Sequence, residues 1–198
     1  MNSSISRGCR RLAALAALLG ALLATVPIAA ADELVREYVD QITAVSIMVP
    51  LDAMVFARER SDLAANARDY ITLTPLEINR TGKRSYFWSG YVWSTIDRRD
   101  RQAVVARGDQ LVLLADGRPI PLLNDEKPLR DHGVGEPPTR MPKRNALAVL
   151  FAAEPEVMEY VAHADDVHIE LIHDGVSETF GLWKDQRAGL KAFVERLQ

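Results

Sequence analysis

The chain has 198 residues, with 24 lysines and arginines against 27 aspartates and glutamates, and a net charge of −3. This mild acidity provides no basic surface for nucleic acid or for an anionic membrane. The single cysteine cannot form an internal disulfide. No serine, histidine or cysteine stands in a common catalytic motif. The sequence therefore predicts no cofactor, no metal and no nucleic-acid partner.

The first 31 residues follow the order of a secretory signal peptide. Three arginines precede residues 12–31, which are uncharged and rich in alanine and leucine. Pro27 interrupts this run before an alanine triplet, so we expect cleavage after Ala31 rather than retention as a membrane anchor. The sequence thus predicts a single periplasmic domain at residues 32–198, with net charge −6 and no membrane span.

Three pairs of apolar segments are separated by turn residues and predict β-hairpins. The pairs are 70–78 with 85–96, 110–114 with 119–123, and 166–173 with 177–183. Asp-Gly dipeptides in the second and third turns are strong hairpin signals. Pro75 places its strand at an edge or a bulge, because proline cannot donate a ladder hydrogen bond.

The remaining pattern predicts single strands and helices. Strands are expected at 42–49, 54–57 and 145–152, a short helix at 61–68, and helices at 155–164 and 184–197. Leu190, Phe193, Val194 and Leu197 recur at helical spacing, which indicates an amphipathic C-terminal helix. We therefore predict an α+β fold, with an antiparallel β-sheet or sandwich built from hairpins and the C-terminal helix packed on one face.

Aromatic residues occur on both faces of the predicted strand 85–96. Tyr86 and Trp88 alternate with Phe87, Tyr91 and Trp93. Exposed aromatic side chains could stack on the sugar rings of a glycan, but such a platform uses one face of a strand. We interpret the strand as the middle of a hydrophobic core.

Histidines and carboxylates gather near the third hairpin in a pattern that suggests a metal site. The residues are His163, Asp165, Asp166, His168, Glu170 and His173. On a strand Asp166 and Glu170 stand about 13.5 Å apart, so they cannot share one zinc ion with His168. We interpret Asp166, His168 and Glu170 as a solvated polar row opposite an apolar face.

Segment 124–144 carries four prolines and nine charges without periodicity, which predicts a long loop. Loops of this length are usually functional or disordered. We expect any partner contact here, and its basic end favours an acidic partner. The candidate contact residues are Leu129, His132, Arg140, Lys143 and Arg144. With few apolar anchors, the segment is expected to tolerate shortening without loss of folding.

Two classes of function stay open at this point. The first is an exported binding or envelope-associated domain whose partner is an envelope protein or a glycan. The alternative is a metal-independent periplasmic hydrolase, because a triad assembled in space leaves no motif in the sequence.

Overall fold

Strands dominate the part of the chain that the computed structural model describes, residues 34–96, 111–173 and 175–197. The strands are β1 (Val35–Val39), β2 (Ser46–Pro50), β3 (Met54–Glu59), β4 (Arg68–Arg80), β5 (Lys83–Ser94), β6 (Leu111–Ala115), β7 (Arg118–Pro121), β8 (Leu147–Ala152), β9 (Val167–His173) and β10 (Val176–Lys184). The helices are α1 (Pro155–His163) and α2 (Arg187–Glu195), with a 3-10 turn at Leu129–His132. The predicted α+β fold is confirmed. The predicted signal peptide lies outside the described residues.

All strand pairs are antiparallel and form one sheet in the order β1-β2-β4-β3-β10-β9-β6-β7. Strand β5 leaves this path, pairing with β4 on one edge and with β8 on the other. The segment after β7 then bridges to β8 between Asn124 and Phe151. Strands β5, β4, β3, β10, β9, β6, β7 and β8 therefore follow one another in a closed circuit of backbone pairing.

The predicted hairpins form around turns with positive φ angles. Thr81 and Gly82 have φ of 51° and 90°, and Asp116 and Gly117 have φ of 48° and 76°. Two consecutive residues with positive φ match the right-handed twist of the strands that they join. In the third hairpin, His173 pairs with Val176. These three hairpin predictions are confirmed.

Strand β4 is a central strand with two successive partners on one edge. Residues from Arg68 to Leu73 pair with β3, and residues from Glu77 to Asn79 pair with β2. Pro75 lies in the gap between these partners, where its missing N–H breaks no ladder hydrogen bond on that edge. The prediction that Pro75 places its strand at a sheet edge is therefore wrong for β4, which is central. Pro75 itself still faces a position without a partner strand.

Opposite faces of β4 and β5 carry two hydrophobic clusters. Trp88 and Val92 join the main core, which contains residues of β3, β6, β8, β9, β10 and both helices. Phe87 belongs to a second cluster with Leu76 and Ile78 on the outer face. Trp88 is 1% exposed and Phe87 5% exposed. The interpretation of the aromatic strand as the middle of a core is confirmed for Phe87, Trp88 and Tyr91, whereas Tyr86 and Trp93 are half-buried.

Segment 61–68 is not a helix, and this prediction was wrong. It forms turns that connect β3 to β4, and Arg60 N donates to Ala67 O at 2.8 Å. Glu59 and Arg68 are paired across the hairpin, so the ends of the connection lie about 5 Å apart. An eight-residue helix would separate its ends by about 12 Å. Strand β1, at Val35–Val39, was not predicted, and the strand predicted at 42–49 is confined to Ser46–Pro50.

The β3–β4 hairpin also buries a charged pair. Arg60 donates to Asp69 at 3.0 Å and to Asp62 at 2.9 Å. These hydrogen bonds raise the pKa of Arg60, with Asp62 the larger contribution. The guanidinium and the Asp69 carboxylate are both buried. Because each satisfies the other, we assign them a structural role.

Gly90 on β5 is required by close backbone approach. A Cβ at this position would lie 1.8 Å from Thr72 O, whereas a Cβ at Gly181 on β10 meets nothing within 4 Å. We expect Gly90→Ala to lower the free energy of unfolding by about 1–3 kcal/mol through overpacking. Urea unfolding measures this, and Gly181→Ala is the matched control. Equal unfolding midpoints for the two variants would contradict the assignment.

Candidate functional site

A groove of about 490 Å³ lies between segment 124–137 and strand β8. Most of the residues that line it are apolar, and they include Pro128, Leu129, Val134, Pro137, Ala148 and Leu150. Charges at the lining are balanced, with Asp125 and Glu126 against Lys127 and Arg130. A concave, mostly apolar surface with a few polar groups is typical of a binding site.

Strand β8 forms the first wall of the groove, and the chain that enters the groove pairs with its backbone. Asp125 N donates to Leu150 O at 2.8 Å, and Ala152 N donates to Leu123 O at 3.0 Å. The chain then leaves β8 at an Asx turn, in which Lys127 N donates to Asp125 Oδ1 at 2.8 Å. The groove opens where the chain diverges from β8 after Asp125.

The 3-10 turn Leu129–His132 forms the second wall. It ends at Gly133, whose φ of 88° lets Gly133 N and Val134 N bond back to carbonyls of the turn. Val134 is 2% exposed and belongs to the outer cluster, and Leu129 packs against the same cluster. The wall is therefore fixed by apolar contact with the outer face of the sheet.

His132 points inward and holds the turn in place. Its ring lies 4.7 Å from that of Phe87, and its Nε2 is 3.2 Å from Asp125 Oδ2. Within the described ranges, no serine or threonine hydroxyl hydrogen-bonds to this imidazole. The geometry assigns His132 a structural role in holding the 3-10 turn against Asp125 and Phe87.

Main-chain groups of the segment are anchored to the β1–β2 turn. Gly135 N donates to Asp40 Oδ2 at 2.7 Å, and Thr43 Oγ1 donates to Gly133 O at 2.6 Å. Arg36 donates from Nη2 to Pro138 O. Hydrogen bonds from the amides of Gly135, Ile42 and Thr43 lower the pKa of Asp40, with Gly135 the largest contribution.

The far end of the segment is anchored to β5. Tyr91 OH donates to Thr139 O at 3.0 Å, and Lys143 Nζ donates to Ser94 O at 3.3 Å. Burial raises the pKa of the Tyr91 phenol, which keeps it a donor. The expectation that segment 124–144 can be shortened without cost is wrong, because the segment covers the outer cluster and is bonded along its length.

The predicted contact residues are only partly brought together. Leu129 lines the groove, while His132 is turned toward Phe87. Arg140, Lys143 and Arg144 are exposed and lie beyond the groove, directly before β8. The sequence analysis did not predict that β8 lines the groove, because the apolar pattern of a strand does not show which of its two edges lacks a partner strand.

The row of histidine and acidic residues on β9 lies opposite a buried face, as the strand pattern predicts. Val167, Ile169 and Leu171 are at most 2% exposed. His168 Nδ1 lies 3.2 Å from Asp166 Oδ2, a side chain that is largely exposed. Across the described residues, no group of three or more potential ligands could hold a metal ion.

Comparisons with protein-family models, with curated proteins and with solved structures find no match to this chain. In the described part of the chain, no helix has the length and apolar character needed to cross a membrane.

The Asp40 anchor predicts acid sensitivity of the groove. Because the pKa of Asp40 is lowered in the folded protein, its stabilisation is complete above the ordinary value of 3.8 and is lost as the pH falls through the lower folded value. We expect the Gly135 amide resonance to titrate with a midpoint below 3.8, measured by NMR. Asp40→Asn should abolish this titration.

Asp52, an exposed carboxylate between β2 and β3, supplies the control. Asp52→Asn should leave the Gly135 titration unchanged. A midpoint at or above 3.8 in the wild-type protein would show that Asp40 does not anchor the segment in solution.

Proposed function

We propose that this chain is an exported envelope protein that binds a partner through the groove between segment 124–137 and β8. The observation that carries the proposal is the groove itself, about 490 Å³ in volume and lined mainly by apolar residues. Burial of such a surface by a partner is favourable by roughly 25 cal/mol per Å².

The shape of the groove wall supports binding rather than simple packing. Ala148 lines the groove from β8 and is exposed, although it sits on a strand whose neighbours Val149 and Leu150 are buried. A concave, mainly apolar surface of this kind supports a binding site.

Export is proposed from the amino-terminal sequence alone. The three arginines, the apolar run and the alanine triplet within residues 1–31 support a periplasmic location. A partner in the envelope, whether a protein or a glycan, is consistent with that location.

Site-specific photo-crosslinking tests the binding proposal in cells. Benzoyl-phenylalanine placed at Arg130, on the groove, should yield a discrete crosslinked product. The same probe at Val176, an exposed residue of the β9–β10 hairpin, should not. Ala148→Trp should fill the groove and remove the Arg130 product while leaving thermal unfolding nearly unchanged.

Two outcomes would contradict the binding proposal. One is an identical crosslinking pattern from Arg130 and Val176. The other is a product from Arg130 that persists in the Ala148→Trp variant.

Intact-mass analysis tests export. We expect the protein recovered from the periplasmic fraction to begin at Asp32, because signal peptidase cleaves after small residues. A protein that keeps residues 1–31 and sediments with membranes would contradict the proposed cleavage.

A further inference from the structure

The edge of β8 that faces the groove has backbone groups available for pairing. In a strand, the N–H and C=O of one residue point to the same edge, and successive residues alternate. Leu150 and Ala152 bond to Asp125 and Leu123, so their polar groups face the groove side. The register with β5 is unbroken from Leu147 to Ala152. The N–H and C=O of Ala148 therefore point to the groove side as well.

Ala148 lies just beyond the last pairing of the preceding segment. Asp125 bonds to Leu150, and the chain then turns away at Lys127. In the described residues, no hydrogen bond reaches the N–H or C=O of Ala148 from the groove. An extended chain entering here would continue the backbone pairing with β8 that Leu123 and Asp125 begin.

The surroundings of this edge define the chemistry of an occupant. Leu129, Val134 and Leu150 form an apolar floor that suits alternate apolar side chains of an extended strand. Directly before β8 stand the exposed residues Arg140, Lys143 and Arg144. No acidic residue occurs between positions 137 and 153. A complementary chain is thus acidic at the end that lies beside the start of β8.

We propose that the groove takes an extended peptide segment of a partner protein, which adds to β8 as an antiparallel strand and bonds to the N–H and C=O of Ala148. Its alternate apolar side chains enter the groove. Its carboxy-terminal end carries acidic groups, because an antiparallel strand places that end beside Arg140, Lys143 and Arg144. The inference rests on the proposed binding function and names the class of partner.

Selection from a display library of heptapeptides with free carboxy termini tests the proposal on the protein without its first 31 residues. Enriched peptides should alternate apolar residues and end in acidic ones. Synthetic copies N-methylated at one position at a time should lose affinity at least 10-fold at the single position whose N–H bonds to Ala148 O, and less than 2-fold at the others. Loss at one defined backbone position is specific to main-chain pairing and requires no change to the protein.

Variants of the protein supply a second measurement. Ala148→Pro removes the groove-facing N–H and should weaken peptide binding at least 10-fold, whereas the control Ala148→Ser keeps it. Arg144→Glu should lower the affinity for the peptide and reduce the dependence of that affinity on salt. The control Lys83→Glu, at the β4–β5 turn, should change neither. A destabilised Ala148→Pro variant would leave the N-methyl series to decide the matter.

The outcomes separate this inference from the proposed function. Failure to enrich peptides, or equal effects of N-methylation at every position, overturns strand addition even if groove crosslinks persist. Binding of oligosaccharides in place of peptides, or an Ala148-dependent dimer in sedimentation, overturns the peptide occupant. Absence of groove crosslinks in cells contradicts the proposed function itself.

Discussion

The thirteen residues of β4 impose the main constraint on this domain. Strand β5 pairs along β4, while β3 and β2 divide its other edge on either side of Pro75. One face of β4 therefore belongs to the main core, and the other carries Leu76 and Ile78 outside the closed circuit of strands. Fully burying a side chain of this size contributes about 1.5–3 kcal/mol. The outer face consequently needs a cover.

Segment 124–144 covers the outer face with irregular backbone, and the groove forms because this backbone does not stay paired with β8. Irregular backbone cannot satisfy its polar groups by itself, so partners must come from elsewhere. Asp40, Thr43 and Tyr91 supply them from the β1–β2 turn and from β5, and Lys143 of the segment donates to Ser94 O of β5. A segment committed to these partners turns away from β8 after Asp125 and leaves the edge at Ala148 open.

Local signals in the sequence predict the hairpins well, whereas the site depends on contacts between distant segments. Asp116 and Gly117 specify a turn by backbone chemistry alone, and the structure has it. The segment at 61–68 has helical composition, but the pairing of Glu59 with Arg68 overrides it. Likewise, Leu129 carries a recognisable apolar signal, while the open edge at Ala148 follows only from its register with β5.

The two walls of the groove differ in how firmly they are held. Strand β8 is paired with β5, and its Val149 and Phe151 side chains lie in the main core. The opposite wall is held by two apolar side chains and by hydrogen bonds that each contribute about 0.5–1.5 kcal/mol. The groove therefore combines a wall fixed by backbone pairing and core packing with a wall held by side-chain contacts and single hydrogen bonds.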